Sequence, residues 1–451
     1  MPPSTANATG PVDWPTYGFT VDRAGFNPSE QTLAPAKVRS LRQHWSVSLG
    51  GGVIDTQPVL AAGVQLGAAR TADVVYAGTE AGRVVALDAA TGNVIWRRKL
   101  GAVRVSSCTD LPEFGITDTA VLDRARGSLY VVGGKGTAYD LDLATGRTKR
   151  RWSITTNPTR EHVWGGLTLE SGVLYVTVAG ICDFPTYHGR VVAIATGSGK
   201  RVATWYVTGR HGAGGGIWGW GGVSADPLSD AIFAATGNSG TSLGSENARY
   251  AERVVSLTRD LHVRASDYPG LPRDDADFGA TPLLYRAPGC PSQLAVVNKY
   301  GSLYIYDRYG IHKGPVQRVK LGGSVYASGA LVGVPAYWPA ARTLYVANPE
   351  PRGRYQPGVV AFRVTNRCRV GLRWQASGHR GVTSSPTVAD GVVYYGDGGG
   401  GRVVAFDART GHRLWTSGRT LHGHPAFNAP SVVNGKVYAG GWDGRVHAYG
   451  Q

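Results

Sequence analysis

The chain has 451 residues, enough for one large domain or for two to three of ordinary size. Glycine is abundant at 65 residues and is accompanied by 12 Trp and 22 Tyr, whereas only 17% of residues are charged. This composition is typical of strands and turns and argues against a helical bundle, a coiled coil or a disordered chain. The net charge of +16 is spread without a long basic run, so we expect no nucleic-acid partner.

The first 40 residues predict an extension that precedes a single domain at residues 41–451. Its opening Pro-Pro-Ser-Thr-Ala-Asn-Ala-Thr-Gly stretch is typical of a flexible mature N-terminus. No apolar run approaches the roughly 18–20 residues of a membrane span. We therefore expect an exported protein, secreted or at the cell envelope, whose signal peptide has been removed, and we expect a monomer.

An internal repeat follows the extension. It comprises an apolar strand, a short turn, a second apolar strand and Asp-x-x-Thr-Gly, often with a Trp behind it; Val74–Trp96 and Val392–Trp415 are the clearest copies. Eight copies begin roughly 45–60 residues apart, the spacing of β-propeller repeats. The Asp-x-x-Thr-Gly segment predicts a turn with Gly at a positive φ, and the Trp is expected to pack between blades.

These repeats predict an all-β fold, namely one eight-bladed β-propeller. The last copy, Val437–Gly450, ends before its outer strand, and the segment Gln43–Ser48 predicts the missing strand. Closure of the last blade by this N-terminal strand would remove an open sheet edge. Seven blades is the alternative, because the fourth and sixth copies are irregular.

Four cysteines, Cys108, Cys182, Cys290 and Cys368, are compatible with two disulfides and an oxidising compartment. None forms a Cys-x-x-Cys motif, so a structural zinc site is not expected. The sequence permits three pairings. Cys108–Cys182 and Cys290–Cys368 are favoured because each pair lies in neighbouring repeats.

Three segments carry a more specific resemblance. They are Trp218-Gly-Trp220 through Thr236-Gly-Asn238, Asp274-Asp-Ala-Asp277-Phe-Gly, and Asn298-Lys299 through Asp307-Arg308. With the repeat, they resemble the quinoprotein alcohol dehydrogenase superfamily, whose members bind pyrroloquinoline quinone. The repeat alone also resembles that of quinone-free propellers such as the outer-membrane-assembly lipoprotein.

The resemblance implies a cofactor site in the central pocket. Trp220 would form the floor under the quinone, with Trp218 as the alternative, because a planar ring needs an aromatic surface. Asn238 would bind calcium, which prefers oxygen ligands, with Asp277 as a further ligand. Asp277 would also be the catalytic base that takes the alcohol proton, and Lys299 would contact the quinone carbonyl.

Two departures from the superfamily pattern affect the cofactor contacts. Its adjacent cysteines above the quinone are replaced by Ser107-Cys108, which leaves Cys108 as a candidate contact. Its Glu ligand to calcium has no match in the segment 179–185, where Asp183 is the candidate substitute. No Cys-x-x-Cys-His motif for an attached haem is present in this sequence.

Loops that enter the innermost strands of a propeller line the mouth of its axis. Candidate ligand contacts there, with Trp164 and Trp220 the more specific aromatic ones, are Asp55, Asp118, His162, Trp164, Trp220, Asp277, Tyr326, Ser384, His424 and Phe427. The first functional hypothesis is an exported quinoprotein-type oxidoreductase that uses pyrroloquinoline quinone and calcium on a small-molecule or polymer alcohol. The alternatives are a quinone-free propeller that binds a ligand or partner at the cell envelope, and a lyase or hydrolase acting on an acidic polymer.

Overall fold

The computed structural model describes residues 10–105, 113–183, 186–239, 248–272, 275–381, 383–418, 421 and 427–451. The first elements are β1 (Phe26–Asn27), the short helix α1 (Pro35–Val38) and β2 (Arg42–Ser48). Single 3-10 turns lie in later connections, at Arg124–Arg126, Ile311–Lys313, Ala327–Gly329 and Pro339–Ala341. None of the described helices is long and apolar enough to cross a membrane.

Eight sheets form the blades of a propeller, each built on four antiparallel strands that are hydrogen-bonded side by side; β1 adds to one sheet in parallel, and the third blade has a fifth strand on the same edge as its innermost one. Blade 1 contains β3 (Val59–Gln65), β4 (Thr71–Gly78), β5 (Arg83–Asp88) and β6 (Val94–Lys99). Blade 2 contains β7 (Val121–Asp123), β8 (Ser128–Gly133), β9 (Thr137–Asp142) and β10 (Thr148–Ser153). Blade 3 contains β11 (Glu161–His162), β12 (Thr168–Glu170), β13 (Val173–Gly180), β14 (Arg190–Ala195) and β15 (Lys200–Tyr206). Blade 4 contains β16 (Ser224–Ala225), β17 (Ile232–Ala235), β18 (Val254–Leu257) and β19 (Val263–Asp267).

The second half of the ring repeats this arrangement. Blade 5 contains β20 (Leu283–Arg286), β21 (Ser292–Asn298), β22 (Ser302–Asp307) and β23 (Gln317–Lys320). Blade 6 contains β24 (Ala336–Trp338), β25 (Thr343–Asn348), β26 (Gly358–Val364) and β27 (Val370–Ser377). Blade 7 contains β28 (Thr387–Ala389), β29 (Val392–Asp397), β30 (Arg402–Asp407) and β31 (Arg413–Thr416). Blade 8 contains β32 (Ser431–Val433), β33 (Lys436–Gly440), β34 (Arg445–Gly450) and, from the other end of the chain, β2.

The N-terminal strand closes the ring. Strand β2 pairs antiparallel with β34, in a register that runs from Arg42 opposite Gly450 to Ser48 opposite Arg445. The eight-bladed propeller with N-terminal closure is therefore confirmed, and the seven-bladed alternative is excluded.

The repeated Asp-x-x-Thr-Gly segment is the turn between the third and fourth strands of a blade. In blade 1 the Asp88 Oδ1 atom accepts hydrogen bonds from the backbone N–H groups of Ala90 and Thr91, each at 3.0 Å. The glycine that follows, Gly92, has a φ of +76°, a conformation that side chains with a Cβ atom disfavour. The Asp of the repeat therefore caps the turn by accepting backbone hydrogen bonds, and the Gly adopts the positive φ that the turn requires.

The repeat Trp, in the blades that have one, packs against the neighbouring blade. Trp96 of blade 1 lies over Gly146 of blade 2, so close that a Cβ atom on this glycine would be 2.6 Å from the Trp96 Cε3 atom. The Trp96 Nε1–H group donates to the Leu143 carbonyl oxygen at 3.0 Å. Trp415 similarly donates to the Leu41 carbonyl oxygen at 2.9 Å. The expected packing of these tryptophans between blades is confirmed.

A disulfide between Cys290 and Cys368 links blades 5 and 6, which confirms this predicted pairing. Cys182 is also disulfide-bonded. The predicted Cys108–Cys182 pairing stays a prediction, because Cys108 lies outside the described residues.

The N-terminal segment Trp14–Asn27, here called the strap, runs around the inside of the ring and contacts all eight blades. Trp14 and Leu60 of blade 1 exchange two backbone hydrogen bonds, at 2.8 and 3.0 Å. The strap residues Thr16 and Asn27 donate side-chain hydrogen bonds to carbonyl oxygens of blades 3 and 8. Strap carbonyl oxygens accept backbone N–H groups from the other five blades, in the pairs Leu122–Pro15, Ala225–Val21, Leu284–Asp22, Tyr337–Ala24 and Val388–Gly25.

Two strap side chains are buried inside the ring. Arg23 is fully buried, and its guanidinium donates to the Val223 and Tyr17 carbonyl oxygens at 3.2 and 2.9 Å. Burial lowers the pKa of Arg23 to about 10. The buried Tyr17 reaches across to blade 7, where its hydroxyl lies 2.6 Å from the Ser385 Oγ atom. Through these two side chains the strap is bonded to blades 4 and 7.

Candidate functional site

Several predicted site residues follow the second strands of neighbouring blades. Asp183 comes after β13 of blade 3, Asn238 after β17 of blade 4 and Lys299 directly after β21 of blade 5. Because these strands run in the same direction in each blade, their ends meet at one face of the ring. Asp277 precedes β20 on this same face, where the Lys299 backbone N–H donates to its carbonyl oxygen at 3.1 Å.

Lys299 is the cation at the centre of the candidate site. Its Nζ atom lies 2.8 Å from the Asp277 Oδ1 atom and also pairs with the Asp275 Oδ1 atom. Burial by itself would lower the pKa of this lysine, but the charges and hydrogen bonds of the two carboxylates outweigh burial and raise it. Lys299 is therefore a fixed positive charge at the mouth.

Asp277 is held from both sides and is almost completely buried. The Trp218 Nε1–H group donates to its Oδ2 atom at 3.0 Å, while Lys299 lies next to Oδ1. The Lys299 Nζ atom is also 5.5 Å from the centre of the Trp218 ring, within the range of a cation–π contact. The carboxylate thus has a defined orientation beside an aromatic face.

Two more acids and an amide extend this cluster toward solvent. The Asn238 Nδ2 atom lies 3.4 Å from both the Asp183 Oδ2 and the Asp275 Oδ1 atoms. Tyr187 donates its hydroxyl to the Asp183 Oδ1 atom at 2.7 Å. Surrounding protein atoms and the negative charge of Asp277 raise the pKa of Asp183, although one side of this residue is exposed.

Asp275 was not predicted from the sequence. Desolvation raises its pKa, Lys299 lowers it, and the neighbouring carboxylates Asp277 and Asp183 raise it further. Its φ of +59° places it in the left-handed region, which is uncommon for a residue with a Cβ atom. The Asp274-Asp-Ala-Asp277 motif contains Asp275, so the signal was present, but the resemblance pointed only to Asp277.

Aromatic rings line the inner wall next to these charges. The rings of Trp218 and Trp220 are nearly perpendicular, with centroids 6.4 Å apart, and Trp164 meets Trp220 edge-on at the same separation. Phe427 stacks on one face of Trp220 at 4.6 Å. Trp220 is buried and its Nε1 atom has no partner among the described residues, whereas Trp218 is partly exposed. Trp218 is thus the indole nearest the charged cluster.

Buried ionisable groups line the part of the mouth that blades 1, 2 and 3 form. Burial raises the pKa values of Asp55 and Asp118 and lowers that of His162 to about 4. The His162 ring packs between Phe114 and Trp164, at 5.8 and 5.2 Å between centroids. This side of the mouth therefore favours neutral forms, whereas the opposite side holds Lys299, whose pKa is raised.

The structure brings the predicted residues Asp183, Asn238, Asp277, Lys299 and Trp218 into one cluster, with Trp164 and Trp220 behind it. Cys108 and His424 lie outside the described residues. No group of three or more His, Cys, Asp or Glu side chains in the described part of the chain is arranged to hold a metal ion. Tyr187, which orients Asp183, was missed because a lone Tyr in a loop carries no sequence signal.

Eight blades built on this repeat define a pyrroloquinoline-quinone-repeat β-propeller. The chain belongs to the family described as outer membrane protein assembly factor BamB, whose family model matches residues 31–268 and 340–450.

The individual proteins that resemble this chain include two dehydrogenases and a BamB. A polyvinylalcohol dehydrogenase from a Pseudomonas species is 24% identical over 96% of this chain and 74% of its own length. A europium-containing methanol dehydrogenase has a similar fold, with a TM-score of 0.75, 17% identity, and coverage of 98% of this chain and 99% of that one. BamB from Moraxella catarrhalis superposes with a TM-score of 0.55, at 17% identity over 91% of this chain and 98% of its own.

Proposed function

We propose that the protein is an exported quinoprotein-type oxidoreductase that oxidises an alcohol group at the Lys299 cluster. The observation that carries the proposal is the convergence of a fixed carboxylate, a buried cation and an indole face, in Asp277, Lys299 and Trp218. The polyvinylalcohol dehydrogenase relative aligns over nearly the whole chain and supports an alcohol as the substrate.

The aromatic wall and Lys299 fit the quinone that the resemblance implies. A planar, anionic quinone matches an aromatic wall next to a lysine that stays protonated. Asp183, Asn238 and Asp277 would be the residues that supply oxygen ligands to calcium. When bound, the quinone would supply the two-electron acceptor for the hydride of the alcohol.

The side chains of this protein would then bind the alcohol and move its proton. The Asp277 carboxylate accepts the hydroxyl proton, while the Trp218 N–H group keeps its Oδ2 atom in place. Lys299 pairs with the Asp277 carboxylate and would present its positive charge to the carbonyl oxygen of a bound quinone. The buried aromatic residues around Trp220 exclude water from the reacting groups.

The test is reconstitution of the purified protein with pyrroloquinoline quinone and Ca²⁺. We expect quinone binding, measured by quenching of tryptophan fluorescence, and dye-linked oxidation of a secondary alcohol. Asp277→Asn should lower kcat/KM by about 10²- to 10⁴-fold while the protein still binds the quinone. Asp230→Asn is the matched control, because Asp230 is an exposed residue paired with Arg264. Absence of both quinone binding and turnover in the wild type would refute the proposal.

The second candidate is a quinone-free propeller that binds a partner at the cell envelope, and the BamB family match is the observation that favours it. Under that function the Lys299 cluster would be a binding surface rather than a reaction centre. Stoichiometric binding of the quinone in the reconstitution experiment would contradict this candidate.

A further inference from the structure

The outer strands of three consecutive blades carry short runs of basic residues. They are Arg97, Arg98 and Lys99 in β6, Lys149, Arg150 and Arg151 in β10, and Lys200 and Arg201 in β15. These three strands contain eight Lys or Arg residues and no Asp or Glu, whereas the outer strand of each other blade carries one or two basic residues. The runs are far apart in the sequence, so only the fold brings them together.

Hydrogen bonds across the seams between blades place the three runs side by side. The Arg98 Nε atom donates to the Gly146 carbonyl oxygen, in the last turn of blade 2, at 2.7 Å. The Arg150 Nη1 atom donates to a carbonyl oxygen in the corresponding turn of blade 3 at 2.9 Å. The Arg201 Nη2 atom donates back to the Ser153 carbonyl oxygen of blade 2 at 2.6 Å. The eight residues therefore form one continuous surface on the outer wall of blades 1, 2 and 3, here called the basic belt.

Within the described residues, almost none of the positive charge of the basic belt is neutralised. The seam hydrogen bonds end on backbone carbonyl oxygens, and the only ion pair that the described residues give the belt joins Lys149 to Asp142 at 3.5 Å. All belt residues except the partly buried Lys149 are exposed. In blade 4, by contrast, Arg264 of the outer strand is paired with Asp230. Charges of either sign can protect the edge of a sheet, so edge protection does not explain a belt of one sign.

We propose that the basic belt binds a linear acidic polysaccharide along the outer wall of the ring. Carboxylates spaced along a uronate chain would meet the exposed guanidinium and ammonium groups of three neighbouring blades. The outside of a ring is convex, so it suits a flexible chain better than a flat bilayer or a stiff DNA duplex. A single-stranded nucleic acid would need exposed aromatic faces, whereas Trp96 and Trp205 of these strands are buried and Trp152 is bonded to blade 3.

Binding at the basic belt goes beyond the proposed oxidation and does not depend on it, because the belt lies on the outer wall and the Lys299 cluster lies at the mouth. The experiment therefore measures binding of polygalacturonate to the full chain without quinone, by isothermal titration calorimetry. We expect the affinity to fall at least about tenfold between about 50 and about 200 mM NaCl, because salt screens exposed charges. Uncharged dextran, the neutral probe, should not bind.

The test variant is Arg97→Gln/Arg151→Gln/Lys200→Gln, which removes one exposed cation from each of the three blades. Other belt residues make the seam hydrogen bonds, so the contacts between blades are retained. We expect this variant to bind polygalacturonate at least about tenfold more weakly than the wild type. Circular dichroism checks that the variant is folded, and a second variant that keeps all three charges, Arg97→Lys/Arg151→Lys/Lys200→Arg, should retain the affinity.

Arg363→Gln/Arg367→Gln/Arg369→Gln is the matched control, because it removes three exposed cations from blade 6 and changes the net charge equally. It should bind polygalacturonate as the wild type does. Equal weakening in the test and control variants overturns the proposal, because the net charge alone would then account for binding. Absence of polygalacturonate binding at low salt also overturns it. Tighter binding of a DNA duplex or of phosphatidylglycerol vesicles, at equal concentrations of negative charge, overturns it in favour of a nucleic acid or a lipid surface.

Discussion

Replacement of Gly146 by alanine tests the contact through which one blade holds the next. Gly146 has a φ of +64°, and an added Cβ atom would be 2.6 and 2.7 Å from the Trp96 Cε3 and Cδ2 atoms. The left-handed conformation alone costs a residue with a Cβ atom about 1–2 kcal/mol. Displacement of the indole adds about 1–3 kcal/mol of overpacking, and loss of the Trp96–Leu143 hydrogen bond adds about 1 kcal/mol.

We therefore expect Gly146→Ala to lower the free energy of unfolding by about 3–6 kcal/mol, measured by urea denaturation. Gly270→Ala is the matched control, since Gly270 has a φ of +68° and no atom within 4 Å of the added Cβ position. Its loss should be only the conformational part, about 1–2 kcal/mol. Equal losses in the two variants would show that the Trp–Gly contact does not hold the blades together.

Three further predictions concern other parts of the ring. Burial lowers the pKa of His162 to about 4 from its ordinary value near 6.5, so between these pH values the unfolded chain binds a proton that the folded chain does not; the free energy of unfolding should therefore fall by about 3 kcal/mol from pH 7 to pH 4. His162→Phe should remove this part of the pH dependence measured by urea denaturation, and parallel pH profiles of the variant and the wild type would contradict the prediction. Replacement of both Cys290 and Cys368 by serine should cost about 4 kcal/mol, because the bridge closes a long loop in the unfolded chain; an unchanged denaturation midpoint would contradict this. Tyr17→Phe removes the hydrogen bond to Ser385 and should cost about 1 kcal/mol, whereas a stabilised variant would argue against that bond.

The repeat made the propeller predictable. Asp-x-x-Thr-Gly and the following Trp are local signals with a fixed geometric meaning, and β34 without an outer strand of its own pointed to closure by β2. The path of the strap was not predictable, because Trp14–Asn27 has no periodic pattern and is held mainly by backbone hydrogen bonds, which leave no mark on the sequence.

Site residues that stand in a recognisable sequence motif could be predicted, whereas residues that reach the site only through the three-dimensional fold could not. Lys299 and Asp277 stand in motif-like segments and lie in direct contact. Asp275 and Tyr187 join the cluster through loop conformations, with Asp275 at a positive φ, that the flanking residues do not specify. The choice between Trp218 and Trp220 depended on a two-residue offset, and only the fold shows that Trp218 is the one tied to Asp277.

Closure of the ring has a consequence for the order in which the molecule folds. Strand β2 precedes the strands of blades 1 to 7 other than β1, yet its pairing strand β34 is the last one, and His44 bonds to a residue 407 positions away. Joining these strands carries the largest loop-closure entropy of any sheet in the chain, although that entropy grows only slowly with length. During synthesis, β2 has no partner strand until β34, the last strand of the chain, has been made. We expect blade 8 to form last and to be the first place at which the ring opens.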